Sequence, residues 1–453
     1  MRTLLAVLAV LALAMTGCDV LWAPYIETYS QSKEAFPSSF ETSYPLGQQY
    51  MLMATGNYDG DFDGVADVAV SGVFPGGELN ASTANVAPVE FYTGDGKGGL
   101  KPDGACLASP MEKVVYLLTV PTPRQPGRND LLVATQDSKI YRCSRTSGGW
   151  TANEVNTFGG VFNGFKMLAL ADEEPQGGYP DLVVRTGINR FTDHSTTTSS
   201  LHVYRADSFL SFGVARIAVA PGDITWVLPY RIGGAPGDSL AITWDDPPTH
   251  NGVDFHYIAQ NNTDRDQGSG LTGAADVPGT AFPELKNVSF SALASLRIAN
   301  QNNQSPRSAI LLARTQDKNS ISVLYGDTIE SFGLQAQQTE LLPDGFMLPY
   351  AGDADGDTND EIIVYTTAPN SNPLVRHLLI LSYKLNTINI MNPIADIANP
   401  AENFRAVALG YLGDRDDRRR QRQRRDLIAL VEDPTSGRSR LMVRRSSLEY
   451  SFP

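Results

Sequence analysis

The chain has 453 residues and a formal net charge of −14 at pH 7. Hydrophobic residues make up 42% and charged residues 19%, so it has the apolar content to build a core, and wholesale disorder is excluded. The acidic balance argues against general nucleic-acid binding, which needs a basic face. The length suits two or three ordinary domains or one large all-β domain.

The N-terminus reads MRTLLAVLAVLALAMTGCDV. Arg2 supplies a positive start and residues 4–15 a short apolar run, too short for a comfortable membrane span, so a secretory signal over residues 1–17 is expected. The end MTGC resembles a bacterial lipobox. That resemblance implies cleavage before Cys18 and lipidation there, with acyl chains holding the protein on a membrane surface of the cell envelope. Which membrane stays open, and an ordinary signal peptide with a chance cysteine is the plainer alternative. Residues 18–48 contain Trp22, Tyr25, Tyr29, Phe36, Phe40 and Tyr44, too aromatic for a simple linker. Part of this segment is expected to pack on the following domain, 49–453, or to lend it a strand. After Cys18 only Cys106 and Cys143 remain. They can pair in an oxidising compartment, but their separation neither requires nor forbids it.

Beyond residue 48, short apolar runs bounded by Gly, Pro, Asn and Asp replace helical periodicity, which is a strand signal. A unit recurs. Its middle run is DVAV at Asp67, DLLVA at Asp130, DLVV at Asp181, DSLAI at Asp238, SAILLA at Ser308, EIIVY at Glu361 and DLIALV at Asp426. Upstream of each lies another apolar run, from YMLMAT to FRAVALGYLG, and downstream a third, from VEFYTG to RLMVRR. Seven such units cannot each bury a core alone, whereas radial stacking buries one between neighbours. The expected fold is all-β, a seven-bladed β-propeller; two β-sandwiches are the alternative.

Two of the units are preceded by acid-rich loops. In GNYDGDFDGVADVAVSG, Asp59, Asp61 and Asp63 take positions one, three and five, Val65 can offer a carbonyl at seven, and Asp67 stands at nine. In AGDADGDTNDEIIVY the matching positions are Asp353, Asp355, Asp357, Asn359 and Glu361, although Thr358 stands where glycine is usual. Calcium takes six to eight oxygen ligands, and this spacing begins like an EF-hand. Position twelve of the first loop is Val70, and both flanks are strand-like. These loops resemble the FG-GAP or VCBS-type repeat of integrin α-subunit-like propellers. The resemblance implies a calcium loop between the first two strands of a blade, with Ca2+ in a structural role. The loop at Asp172, Glu174 and Asp181 is one residue too long for the same pattern, and a plain turn is expected there.

The last loop, GYLGDRDDRRRQRQRRDLIALV, begins with Asp414, Asp416 and Asp417 and continues through Arg418, Arg419, Arg420, Arg422, Arg424 and Arg425. A solvated charge run is the simpler expectation; an anionic partner at Arg418–Arg425 is the sharper one. The sequence carries no HExxH, GxSxG or Walker loop. WDDPPTHNGVD brings Asp245, Asp246, His250 and Asp254 together, which reads as a polar turn. The expectation is therefore an envelope-anchored calcium-binding propeller that displays loops to a protein or glycan. A propeller-fold polysaccharide lyase or hydrolase is the alternative, since fold alone supplies no activity.

Overall fold

The computed structural model describes residues 41–60, 64–71, 89–106, 114–122, 125, 127–135, 139–157, 165–171, 180–186, 200–208, 211–219, 223–230, 239–246, 250–257, 290–298, 307–314, 320–325, 333–338, 347–352, 360–368, 375–384, 387–394, 403–413, 425–433, 436 and 438–446. Among these the chain is all-β: 27 strands form small antiparallel sheets, with no helix.

Strand β1 (Glu41–Pro45) belongs to the sheet that also holds the last strands of the chain and is described with them below. The next sheet runs in the order β2 (Leu52–Gly56), β3 (Asp67–Ser71), β4 (Val89–Gly94), β5 (Leu100–Cys106). The one after it comprises β6 (Val114–Pro121), β7 (Asn129–Thr135), β8 (Lys139–Thr146) and β9 (Gly149–Thr157). A further sheet comprises β10 (Phe165–Ala171), β11 (Asp181–Thr186), β12 (Ser200–Ser208) and β13 (Ser211–Val219). A three-stranded sheet follows, of β14 (Asp223–Tyr230), β15 (Ser239–Asp246) and β16 (His250–Tyr257). Then come β17 (Phe290–Ile298), β18 (Arg307–Arg314), β19 (Ser320–Tyr325) and β20 (Gly333–Gln338). They are followed by β21 (Met347–Gly352), β22 (Glu361–Ala368), β23 (Val375–Lys384) and β24 (Thr387–Ile394). The last sheet holds β25 (Asn403–Gly410), β26 (Asp426–Asp433) and β27 (Arg438–Arg444), with β1 as its outermost strand.

Each run of the sequence unit thus becomes one of three consecutive strands in a sheet. The second strands explain why those runs are continuously apolar. Every residue of β3 is buried, as are the residues from Asp130 to Thr135 in β7. A strand covered on both faces has no solvent side to alternate with. Apolar clusters lie between neighbouring sheets. One joins Val68 and Val70 to Ile428, Leu430, Leu441 and Val443; another joins Phe91 and Val89 to Leu131 and Val133; a third joins Leu132 to Leu182 and Val184. The first strands also touch in sequence order: β2 meets β6, β6 meets β10, β10 meets β14, β14 meets β17, β17 meets β21, β21 meets β25, and β25 meets β2.

The N-terminal strand β1 is antiparallel to β27, with Glu41 opposite Arg444 and Pro45 opposite Arg440. The proline is tolerated because this is an edge strand, where a missing N–H breaks no interior ladder. Leu46 N–H donates to the Ser439 carbonyl at 2.9 Å, and Ser439 N–H to the Gln48 carbonyl at 3.1 Å. Among the described residues β1 is the first strand, so part of the 18–48 segment lends a strand to this sheet.

WDDPPTHNGVD is not a loop. Asp245 and Asp246 end β15, His250 begins β16, and Asp246 faces His250 in register. Paired strands run almost to the diproline, so only residues 247–249 separate them.

Candidate functional site

The first Asp-rich loop leaves β2 through Asn57, Tyr58, Asp59 and Gly60 and re-enters the sheet through Gly64, Val65 and Ala66. Asp61 and Asp63 lie outside the described residues. Gly60 and Gly64 have φ of 74° and 75°, the left-handed region that only glycine adopts at low cost.

Asp67 organises this loop. Its Oδ2 accepts the N–H of Tyr58 at 2.7 Å and of Asp59 at 3.0 Å; its Oδ1 accepts the N–H of Gly94, at the end of β4, at 3.1 Å. One side chain thus ties the loop to the third strand of its own sheet. Asp67 is only 2% exposed, and burial pushes its carboxyl up to about 7. Backbone N–H groups oppose that rise, while the nearby charge of Asp59 adds to it.

Tyr58 anchors the loop from inside. Its ring is fully buried and packs edge-on to Phe91 at 5.4 Å, with Trp150 stacked on Phe91. Its hydroxyl meets Thr119 Oγ1 at 2.7 Å. The loop is also bonded to both neighbouring sheets. Asn57 N–H donates to Asn129 Oδ1 at 2.9 Å, and Asn129 N–H returns to the Asn57 carbonyl at 2.7 Å. On the other side Ala66 N–H donates to the Tyr411 carbonyl at 2.8 Å.

The same position recurs as a buried acid: Asp67, Asp130, Asp181, Glu361 and Asp426 each open or nearly open a second strand, and all are at most 6% exposed. Asp426 repeats the Asp67 pattern, accepting Leu412 N–H at 3.3 Å from the loop after β25 and Ser446 N–H at 3.1 Å beyond β27. Asp130 departs from it, taking Arg142 Nε on Oδ2 at 2.8 Å and leaving Oδ1 buried without a partner. In three units a glycine faces the acid across the first two strands: Gly56 opposite Asp67, Gly352 opposite Glu361, Gly410 opposite Asp426. A Cβ there would meet Thr119 at 2.9 Å, Leu409 at 3.1 Å and Ala66 at 2.7 Å respectively, so glycine allows the sheets to approach.

The structure therefore brings Asp59 and Asp67 together, whereas the Val65 side chain lies in the core. Of the second set only Glu361 is described, buried at the start of β22; Asp353, Asp355, Asp357 and Asn359 lie outside the described residues. Among the described residues no group of three His, Cys, Asp or Glu is gathered as a metal cluster. A carboxylate has about four lone-pair sites, and Asp67 already commits three to backbone N–H groups. That leaves one Oδ1 position open to a calcium ion. Sequence spacing missed this capping role, and it missed Tyr58 and Asn129. The recurring acid at the start of every good copy was its visible signal.

Cys106 and Cys143 form a disulfide with a Cα–Cα distance of 6.0 Å, joining the outer strand of one sheet to the third strand of the next. Cys18, Asp172, Glu174 and the Arg418–Arg424 run lie outside the described residues; Arg425 is described. No family model matches the chain, and a search of curated proteins finds no match.

Proposed function

We propose that the chain is a lipid-anchored, calcium-binding seven-bladed β-propeller of the cell envelope that binds a protein or glycan on one face. The observation that carries this reading is the cyclic order of contacts among first strands, from β2 through β25 and back to β2. Seven sheets, apolar clusters at three of their junctions, and a last sheet completed by an N-terminal strand fit a ring that closes. Such a ring holds loops in fixed relation, which suits recognition by rigid display.

Calcium belongs to the Asp59–Asp67 loop and to its counterpart at Asp353–Glu361. The crowding of Asp59 against buried Asp67 supports the first assignment, because an unneutralised carboxylate pair is costly and a divalent ion offsets it. The disulfide suits an oxidising, extracytoplasmic setting. Lipidation of Cys18 would tether the domain through residues 19–40.

The test uses the mature chain, loaded with calcium, in a glycan array run in parallel with capture from envelope extracts. Reproducible binding to one glycan class or one protein, lost in chelator or after unfolding, is the expected result. Turnover of a polysaccharide by the purified chain would replace this reading with the lyase or hydrolase alternative.

A further inference from the structure

Arg128 lies in the turn between β6 and β7, and its backbone is held there: Thr122 N–H donates to the Arg128 carbonyl at 2.8 Å, and Arg128 N–H to the Gln125 carbonyl at 3.1 Å. The next residue, Asn129, is the one bonded to Asn57 of the first Asp-rich loop. The side chain is fixed as well. Nη1 donates to Gln125 Oε1 at 2.8 Å and Nη2 to the Arg145 carbonyl. Both acceptors are neutral oxygens, Nε is buried without a partner, and among the described residues no carboxylate pairs with this guanidinium. Its neighbour Arg145 differs, donating to Asp103 at 2.8 Å. The stem of Arg128 crosses the Asp-rich loop at Gly60, where a Cβ would meet its Cδ at 2.9 Å and its Nε at 3.2 Å. A positive charge from the next sheet is thus seated on the glycine that stands between Asp59 and Asp61 in the sequence.

We propose that Arg128 is a positioning residue for the first Asp-rich loop, a resident cation that steadies its carboxylates without metal and thereby weakens calcium binding there. The proposal rests on the calcium reading of that loop and names its regulation. The charges of Asp59 and Asp67 oppose each other, and a guanidinium held on the same loop offsets part of that repulsion in the metal-free protein. Arginine stays charged at every ordinary pH, so the offset is permanent. An incoming divalent ion is repelled by the same charge and meets carboxylates that are already partly compensated, so its net gain is smaller. The loop then belongs with the weak extracellular calcium modules, with dissociation constants of about 0.1–1 mM. Methionine at this position keeps a long stem over Gly60 and removes the charge, whereas lysine keeps the charge. Comparing the two separates electrostatics from packing.

The test is calorimetric titration of the mature chain with calcium, alongside melting temperatures in calcium and in chelator. Arg128→Met is expected to lower the dissociation constant of one site about two- to tenfold, an effect that shrinks as salt rises. Arg128→Gln, a second neutral variant, does the same, and Arg128→Lys stays within about twofold of the wild type. The melting temperature of Arg128→Met falls in chelator and falls less in saturating calcium. In a chain that also carries Asp61→Asn and Asp63→Asn, Arg128→Met leaves calcium binding unchanged. A purely structural role would lower both melts alike and leave the dissociation constant where it was. That result, weaker binding in the neutral variants, or an equal gain in Arg128→Lys overturns the inference. If the first loop binds calcium and the neutral variants do not tighten it, only this inference falls. If the wild type holds no ion that Asp61→Asn with Asp63→Asn removes, the calcium reading of that loop falls with it.

Discussion

Glu41 and Arg444 face each other across β1 and β27, although 403 positions separate them in the chain. Glu41 Oε2 accepts Arg444 Nε at 2.9 Å, and its Oε1 accepts Arg440 Nη1 at 2.9 Å. Two arginines of the last strand thus close on one glutamate of the first. Tyr44 extends the clasp, its hydroxyl accepting Leu100 N–H of β5 at 2.9 Å.

Removing that glutamate leaves Arg444, only 5% exposed, without its anion. Glu41→Gln is expected to cost about 2 kcal/mol in chemical denaturation, as for a hydrogen bond to a charged group. Glu41→Asp, which keeps the charge but shortens the reach, is expected to lose less. A wild-type midpoint for Glu41→Gln would show that the backbone ladder alone holds β1.

The same clasp has a pH signature. Burial would raise the Glu41 carboxyl, but hydrogen bonds from Arg440 and Arg444 outweigh burial and hold it below its ordinary value of 4.5. The folded state therefore binds fewer protons than the unfolded chain in this window. The contribution is complete above pH 4.5 and is lost as pH falls through the lower folded value. Limited proteolysis ahead of residue 41, followed by mass analysis of β1 release, is expected to accelerate in acid for the wild type, whereas Glu41→Gln shows little further pH response.

Asp67 separates a structural cap from a metal ligand. Asp67→Ala strands three backbone N–H groups, two in the loop and one on Gly94, and is expected to cost about 3–5 kcal/mol. Because the cap needs no ion, the loss appears in chelator as well as in calcium. A loss seen only in calcium would mean that Asp67 acts chiefly on the metal.

The disulfide closes a separation of 37 residues and crosses from one sheet to the next. Chain-entropy arguments give it about 4 kcal/mol. Replacing both Cys106 and Cys143 with alanine is expected to lower the unfolding free energy by about 2–4 kcal/mol, read by denaturant titration under non-reducing conditions. An unchanged midpoint would contradict its role as an inter-sheet staple.

Second strands such as β3 and β7 were legible because they are buried along almost their whole length and so read as unbroken apolar runs. The outer strands were not. β5 carries Lys101, Pro102 and Asp103 and is largely exposed between its buried ends, and β1 is largely exposed with no buried residue. Neither leaves a hydrophobic signature. The Asp67 cap was half legible: its place at the head of an apolar run was plain, but its bond to Gly94 spans 27 residues and belongs to the folded sheet. The clasp of Glu41 on Arg444 and the seat of Arg128 on Gly60 depend on which strands become neighbours, which local spacing does not encode.

Thermal unfolding of the mature chain in calcium and in chelator, with bound metal counted, tests the proposal of a calcium-tied propeller at its foundation. One ion for each Asp-rich loop and a higher melting temperature in calcium are expected, each site adding about 1.4 kcal/mol at roughly ten times its dissociation constant. Asp61→Asn with Asp63→Asn should remove the first loop's share. Identical melts in both buffers, with no metal retained, would contradict it.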